Sequence, residues 1–210
     1  MRPRWPCRVY LLATLGALNA CERAGHAPGP EAATIPGSAV SQPAGWDNDL
    51  AMPQPQDLDA DPHVLEFNLE ARIENLEIIP GFKTPAWTYN GAIPGPLIRA
   101  TVGDRLIVHF KNSLPEPTTI HWHGLRVPGV QDGAGHSPIA SGTRWRFEMN
   151  LDQRPNTAWY HSHPHGATAR HVYSGLAGVI HHTDGRDDQR GLPSTYGVDD
   201  LTLVIQDRRF

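Results

Sequence analysis

The 210-residue chain carries 18 Lys and Arg against 22 Asp and Glu, a formal charge of −4 with histidine neutral. That balance, with no basic cluster interleaved with aromatics, argues against nucleic-acid binding, and no glycine-rich strand-to-helix turn offers a nucleotide or flavin a phosphate cradle. The only cysteines are Cys7 and Cys21, so everything after residue 21 lacks both disulfide and thiolate.

At the N-terminus Arg2, Arg4 and Arg8 lead into an apolar run over residues 9 to 20. The run is too short to stay as a membrane span and has the pattern of a secretory signal. Leu18-Asn19-Ala20-Cys21 resembles a bacterial lipobox, although Asn19 is unusual in its place; on that reading Cys21 is lipidated and the lipid is the only tie to a membrane. The expectation is export to the periplasm, with residues 1–21 left out of the fold. Residues 22–61 are rich in Ala, Gly, Pro, Ser and Gln and show neither strand nor helix period, which reads as a flexible leader. Trp46 and Met52 are stray apolar residues within it.

From Pro62 the pattern changes to strands. Residues 64 to 73 alternate apolar and polar, as a half-buried strand does. Ala86-Trp87-Thr88-Tyr89 is followed by the turn dipeptide Asn90-Gly91, residues 93 to 98 lead to a turn at Val102-Gly103-Asp104, and residues 105 to 110 put Leu106, Val108 and Phe110 on one face. Residues 127 to 141 read as a loop, 143 to 149 as a strand, 168 to 173 as a short helix and 176 to 180 as a closing strand. Short strands between Gly and Pro turns predict an all-β, antiparallel sandwich over residues 62–183, a size that supports a real core.

Within that sandwich stand two histidine pairs, His121-Trp122-His123 and His161-Ser162-His163. In an extended strand, residues two apart share a face about 6.6 Å apart, so each pair offers two imidazoles to one side. On neighbouring strands, about 4.8 Å apart, the rings make a patch able to hold metal. Neutral imidazole suits copper, zinc, iron and nickel alike. A single H-x-H arises by chance; two pairs facing one way do not serve an apolar core.

The words around the pairs narrow the choice. Pro117-Thr118-Thr119-Ile120-His121-Trp122-His123-Gly124-Leu125, then Val127-Pro128-Gly129 and Asp132-Gly133, resembles the first copper motif of the multicopper oxidases. Trp159-Tyr160-His161-Ser162-His163-Pro164-His165-Gly166, running to Gly175-Leu176-Ala177-Gly178, resembles their second, and Gly91-Ala92-Ile93-Pro94-Gly95-Pro96 resembles the opening of their first domain. The resemblance, to the bacterial laccase-like or cuprous-oxidase branch, implies a cupredoxin-like Greek-key sandwich. It implies half of the histidines of a trinuclear copper cluster: His121 on the type 2 copper, His123 and His161 on one type 3 copper and His163 on the other. It also implies that Asp132 helps deliver protons to oxygen, the alternative being a turn aspartate bonded to its own backbone.

In that family electrons pass from a reducing substrate through a type 1 copper to the cluster, where O2 becomes water. A blue-copper site needs a Cys thiolate with two histidines, and residues 22 to 210 contain no cysteine. Residues 184–210 are expected to be a linker and then, at 201 to 206, the first strand of a second cupredoxin domain. The chain is thus expected to be an N-terminal piece of an oxidase, ended early or completed by a second polypeptide, inactive alone. The other class is a stand-alone periplasmic copper-binding protein. His165 is expected near the site without ligating, His136 and His171 in loop or helix, His181 and His182 as a surface pair rather than an auxiliary copper site, and Met149 as isolated.

Overall fold

The computed structural model describes residues 51–209; the expected export signal, Cys21, Trp46 and most of the expected leader lie outside the described residues. The strands are β1 (Val64–Ile79), β2 (Phe82–Tyr89), β3 (Gly95–Thr101), β4 (Arg105–Asn112), β5 (His121–His123), β6 (Arg144–Asn150), β7 (Asn156–His161) and β8 (Ala177–Thr183), with a helix, α1 (Thr168–Ser174), before β8. They form two four-stranded sheets, ordered β2-β1-β4-β6 and β3-β8-β7-β5. The expected all-β sandwich is present. The expectation of wholly antiparallel sheets is corrected, because β1 runs parallel to β4 and β3 to β8. The physical reason is the connectivity: from β3 to β7 the chain changes sheet at every step, and such crossings bring strands of like direction side by side.

The strands follow from alternation. Phe67, Leu69 and Ala71 of β1, Leu106, Val108 and Phe110 of β4, and Phe147 and Met149 of β6 face the interior of the first sheet. Ile98 and Ala100 of β3, Trp122 of β5, Ala158 and Tyr160 of β7 and Ile180 of β8 answer from the second. Trp122 meets Phe147 edge-on at 5.3 Å between ring centroids and lies 6.1 Å from Tyr160, which lies 5.2 Å from Tyr89. Room for Tyr160 comes from glycine. A Cβ on Gly178, its partner across β8, would lie 2.2 Å from the Tyr160 ring, and one on Gly95 2.7 Å from its hydroxyl. That hydroxyl donates to the Pro96 carbonyl at 2.7 Å.

The ends of the described region differ from their composition. Residues 51–61 read as leader, yet they are tied to the sandwich: the Leu97 amide donates to the Pro53 carbonyl at 2.8 Å and the Leu58 amide to the Glu66 carbonyl at 2.7 Å. Residues 201–206, expected as a strand, carry no strand assignment, since a strand exists only through a ladder partner; Leu203 and Ile205 are 83% and 96% exposed. The expected surface pair is also corrected. On β8, His181 and His182 alternate faces, and His182 is buried against Asn156.

Candidate metal centre

The pairing of β5 with β7 builds the site. The strands are antiparallel with His121 opposite His161, Trp122 opposite Tyr160 and His123 opposite Trp159. Since side chains alternate, Trp122 and Tyr160 enter the core while His121, His123, Trp159 and His161 share the outer face. A slip of one residue would reverse every one of these directions, and burial of Trp122 opposes it by ~2–3 kcal/mol.

On that face the rings converge. His121 lies 5.5 Å from His123, 5.4 Å from His161 and 5.2 Å from His163 between centroids, and His161 lies 5.5 Å from His163. One ligating atom from each of His121, His123 and His161 lies within 4.8 Å of the others. His163 falls just beyond the end of β7, and its amide donates to the Thr119 hydroxyl at 2.9 Å. The strand therefore stops before the second histidine of its pair.

The hydrogen bonds fix which nitrogen is free. His121 Nδ1 is 3.0 Å from the Asp132 carbonyl oxygen, and His161 Nδ1 is 3.0 Å from that of Ser162. A carbonyl only accepts, so Nδ1 carries a hydrogen in both rings, and Nε2 is the atom left to face a metal ion. His161 Nε2 and His163 Nδ1 are buried without a hydrogen-bond partner. Burial, together with the neighbouring imidazoles His121, His163 and His123 and against the bond to Ser162, pushes the His161 pKa down to about 4, so the ring is neutral at pH 7. These are the properties of an imidazole that binds a metal ion.

Asp132 closes a 3-10 turn over Gly129–Gln131, and its amide donates to the Gly129 carbonyl. Its carboxylate Oδ1 stands 3.3 Å from His121 Nδ1, so this residue approaches the cluster through both its carbonyl and its side chain. Gly133 must follow it: φ is +65°, and a Cβ there would lie 1.6 Å from the Ile120 carbonyl oxygen. His136 and His165 are exposed, and His181 lies 3.7 Å from Asp200, away from the cluster.

Several residues at the site escape sequence reasoning. Trp159, which reads as strand filler, stacks on His161 at 3.9 Å with 22° between planes and faces His123 at 5.1 Å. Its register opposite a histidine was the available signal. His171, Thr118 and Ser162 form a buried polar network beneath the second pair, brought together by long-range folding that no local pattern reveals.

The multicopper oxidase family profile matches residues 71–186. Among curated relatives, the multicopper oxidase mco of Staphylococcus aureus is 36% identical over 144 residues, 69% of this chain and 32% of that protein. The cell division protein FtsP of Proteus mirabilis is 36% identical over 127 residues, 60% of this chain and 27% of that protein. Among solved structures, a laccase from Pediococcus acidilactici superimposes with a TM-score of 0.71 at 35% identity, covering 77% of this chain and 36% of that one. The chain thus spans about a third of the length of the relatives it matches. Fold, paired histidine motifs and profile agree, and the chain belongs to the multicopper oxidase family, whose cupredoxin domain its sandwich represents.

Proposed function

We propose that this domain supplies half of the histidines of a trinuclear copper centre in a laccase-like oxidase, with His121 on the type 2 copper, His123 and His161 on one type 3 copper and His163 on the other. The observation that carries this reading is the set of converging imidazoles in which His161 Nε2 and His163 Nδ1 are buried with no partner. An unpaired buried polar atom costs ~1–3 kcal/mol, and a metal ion is the partner a neutral imidazole lone pair takes. Family membership alone does not carry it, because the relatives include a protein named for cell division.

When bound, copper supplies one-electron couples through which a reducing substrate passes electrons to O2, which takes four electrons and four protons to become two waters. The chain's own residues hold, orient and shield. The Asp132 and Ser162 carbonyls fix the His121 and His161 tautomers, and Trp159 stacks over one face of the His161 ring and lies beside the exposed His123. Asp132 Oδ1, 3.3 Å from His121 Nδ1 on a side chain 31% exposed, stands between solvent and the cluster, the position from which an acidic residue hands protons to oxygen being reduced there. The remaining donors and a thiolate site come from elsewhere in the protein or from a second chain, so residues 51–209 alone bind copper weakly and turn over negligibly. A second reading, a periplasmic copper buffer using the same imidazoles, draws on the lack of any cysteine among the described residues.

Metal analysis, electron paramagnetic resonance and visible absorption of the copper-loaded chain test the proposal. One or two loosely held type 2-like coppers with no blue band, lost in a His121→Ala/His161→Ala variant, are expected. Copper unaffected by those substitutions overturns it. Catalytic oxidation of a phenol by the isolated chain overturns the expected inactivity, and a single copper held tightly at one per chain favours the buffer. Export to the periplasm with lipidation at Cys21 is part of the same proposal; among the described residues no helix is long and apolar enough to cross a membrane. Membrane fractionation tests it, with Cys21→Ser expected to release the protein to the soluble fraction.

A further inference from the structure

Beneath the second histidine pair, on the opposite side of the strand, lies a polar assembly that a β-sandwich core does not need. Ser162 separates His161 from His163, so alternation sends its side chain inward, where it is wholly buried. Its hydroxyl lies 2.7 Å from the Thr118 hydroxyl and 2.7 Å from Nδ1 of His171, the one buried residue of α1. On the far side of that ring, Nε2 lies 2.5 Å from Glu116 Oε1. Arg170 also bonds this carboxylate and holds its pKa below the usual range. Trp87 packs edge-on against His171 at 4.8 Å.

A carboxylate only accepts, so Nε2 carries a hydrogen, and burial lowers the pKa of the ring; in the neutral ring Nδ1 accepts from the Ser162 hydroxyl, which then accepts from Thr118. Serine, histidine and glutamate in line are the parts of a nucleophilic triad, but the Ser162 hydroxyl is sealed from solvent and cannot meet a substrate. What the chain of bonds does is tie segments together. Thr118 stands three residues before His121, and its neighbour Thr119 receives the His163 amide at 2.9 Å. The Ser162 amide donates to the Leu176 carbonyl, and the Leu176 amide to the His171 carbonyl. Glu116 is held by its own carbonyl, which accepts from the buried Asn112 amide group at 2.9 Å.

We propose that His171 is a positioning residue for the metal-binding histidines: through Ser162 and Thr118 it locks the segments carrying His121 and His163 into one geometry, anchored at Glu116. This rests on the reading of the four imidazoles as copper ligands. Groups bonded directly to a metal ligand change metal affinity by ~10–100-fold when lost; His171 acts one bond further out, through Ser162, so the lower end of that range is expected.

The test uses the full chain, with copper(II) affinity measured by chelator competition, the copper hyperfine pattern by paramagnetic resonance, and folding by circular dichroism. Ser162→Ala and His171→Phe are expected to weaken copper by ~10-fold and to alter the hyperfine pattern. His171→Gln, whose amide accepts from Ser162 and donates to Glu116, is expected to restore most of the loss. Met149→Ala, a cavity in the other sheet, is expected to lower the melting temperature and leave copper affinity unchanged. Wild-type affinity and spectrum in Ser162→Ala and His171→Phe, beside loss in His161→Ala, overturn the positioning role alone. An equal loss in Met149→Ala overturns it too, by reducing the effect to general stability. Copper binding that His161→Ala leaves intact removes the reading of the site and this inference together.

Discussion

Replacing His161 by phenylalanine separates a metal ligand from an ordinary core residue by the sign of its effect. In the copper-free chain His161 is 4% exposed, and its Nε2 has no partner. Leaving that atom unpaired costs ~1–3 kcal/mol; the Nδ1 bond to the Ser162 carbonyl returns ~1 kcal/mol. Phenylalanine removes both and keeps the aromatic face that stacks on Trp159. Copper-free His161→Phe is therefore expected to be as stable as wild type or up to ~2 kcal/mol more stable, a rise of up to ~8 °C at ~2–4 °C per kcal/mol. Copper reverses the order. At a hundred times its dissociation constant a ligand adds ~2.7 kcal/mol to the form that binds it, and the variant forfeits this. The assay is thermal denaturation followed by circular dichroism, first with chelator and then with excess copper(II). The neighbouring Tyr160→Leu, a plain core truncation, should lose stability in both. A copper-free His161→Phe chain destabilised by ~2 kcal/mol or more, in the range of core truncations, with its copper response intact, would refute the reasoning.

Three further outcomes follow from named contacts. Gly133→Ala forces a Cβ onto the Ile120 carbonyl at a φ of +65° and should destabilise by ~3 kcal/mol or more; Gly142→Ala, at φ +76° with open space around it, should cost only ~1–2 kcal/mol, both by urea denaturation. Trp122→Ala, wholly buried between Phe147 and Tyr160, should cost ~3–5 kcal/mol and loosen copper binding as β5 loses its inward anchor. For His182, burial lowers the pKa, aided by His181 and opposed by bonds to Leu151 and Arg154 and by Asp104. Above ~6.5 the ring is neutral in both states, so no proton is at stake. As pH falls below that value the unfolded chain takes up a proton the folded chain refuses, and stability falls. His182→Leu should flatten the fall in urea-denaturation free energy between pH 7 and 5, and an unchanged slope would remove His182 from the account.

The parts legible in the sequence were those with local causes. Alternation in residues 105 to 110 placed Leu106, Val108 and Phe110 inward, as they stand, and the spacing of each histidine pair put both rings on one face. The second half of β1 was not legible, because residues 73 to 79 bury little on either face and are strand only through the ladder to β2. The parallel pairs were hidden for a related reason: they join residues far apart in the chain, such as Phe67 with Val108 and Ile98 with Ile180. His182 looked like a surface residue because polar side chains at core positions are unusual. Ser162 and His171 were hidden likewise, since their partners at Thr118 and Glu116 lie 44 and 55 residues away.

The two histidine pairs are held by different means, and the difference has a physical logic. His121 and His123 flank Trp122, so their backbone is fixed by the burial of a large ring against Phe147 and Tyr160. Dispersion and apolar burial set the depth of such an anchor well but its direction loosely, being non-directional. His161 and His163 flank Ser162, which is fixed by hydrogen bonds of defined length to Thr118 and His171. Bonds of this kind add little net stability, ~1 kcal/mol each, but they set direction, and a buried network that is fully satisfied specifies one arrangement. The second pair needs that control more, because β7 ends at His161 and His163 receives no help from the ladder. An apolar residue in place of Ser162 could fill the same space, but it would leave Thr118 and His171 without their shared partner and the segment after His161 held only by its backbone bonds to Leu176 and Thr119. On the proposed reading of the site, the polar network serves the placement of donor atoms, and the unpaired nitrogens at His161 and His163 are the stability conceded for it.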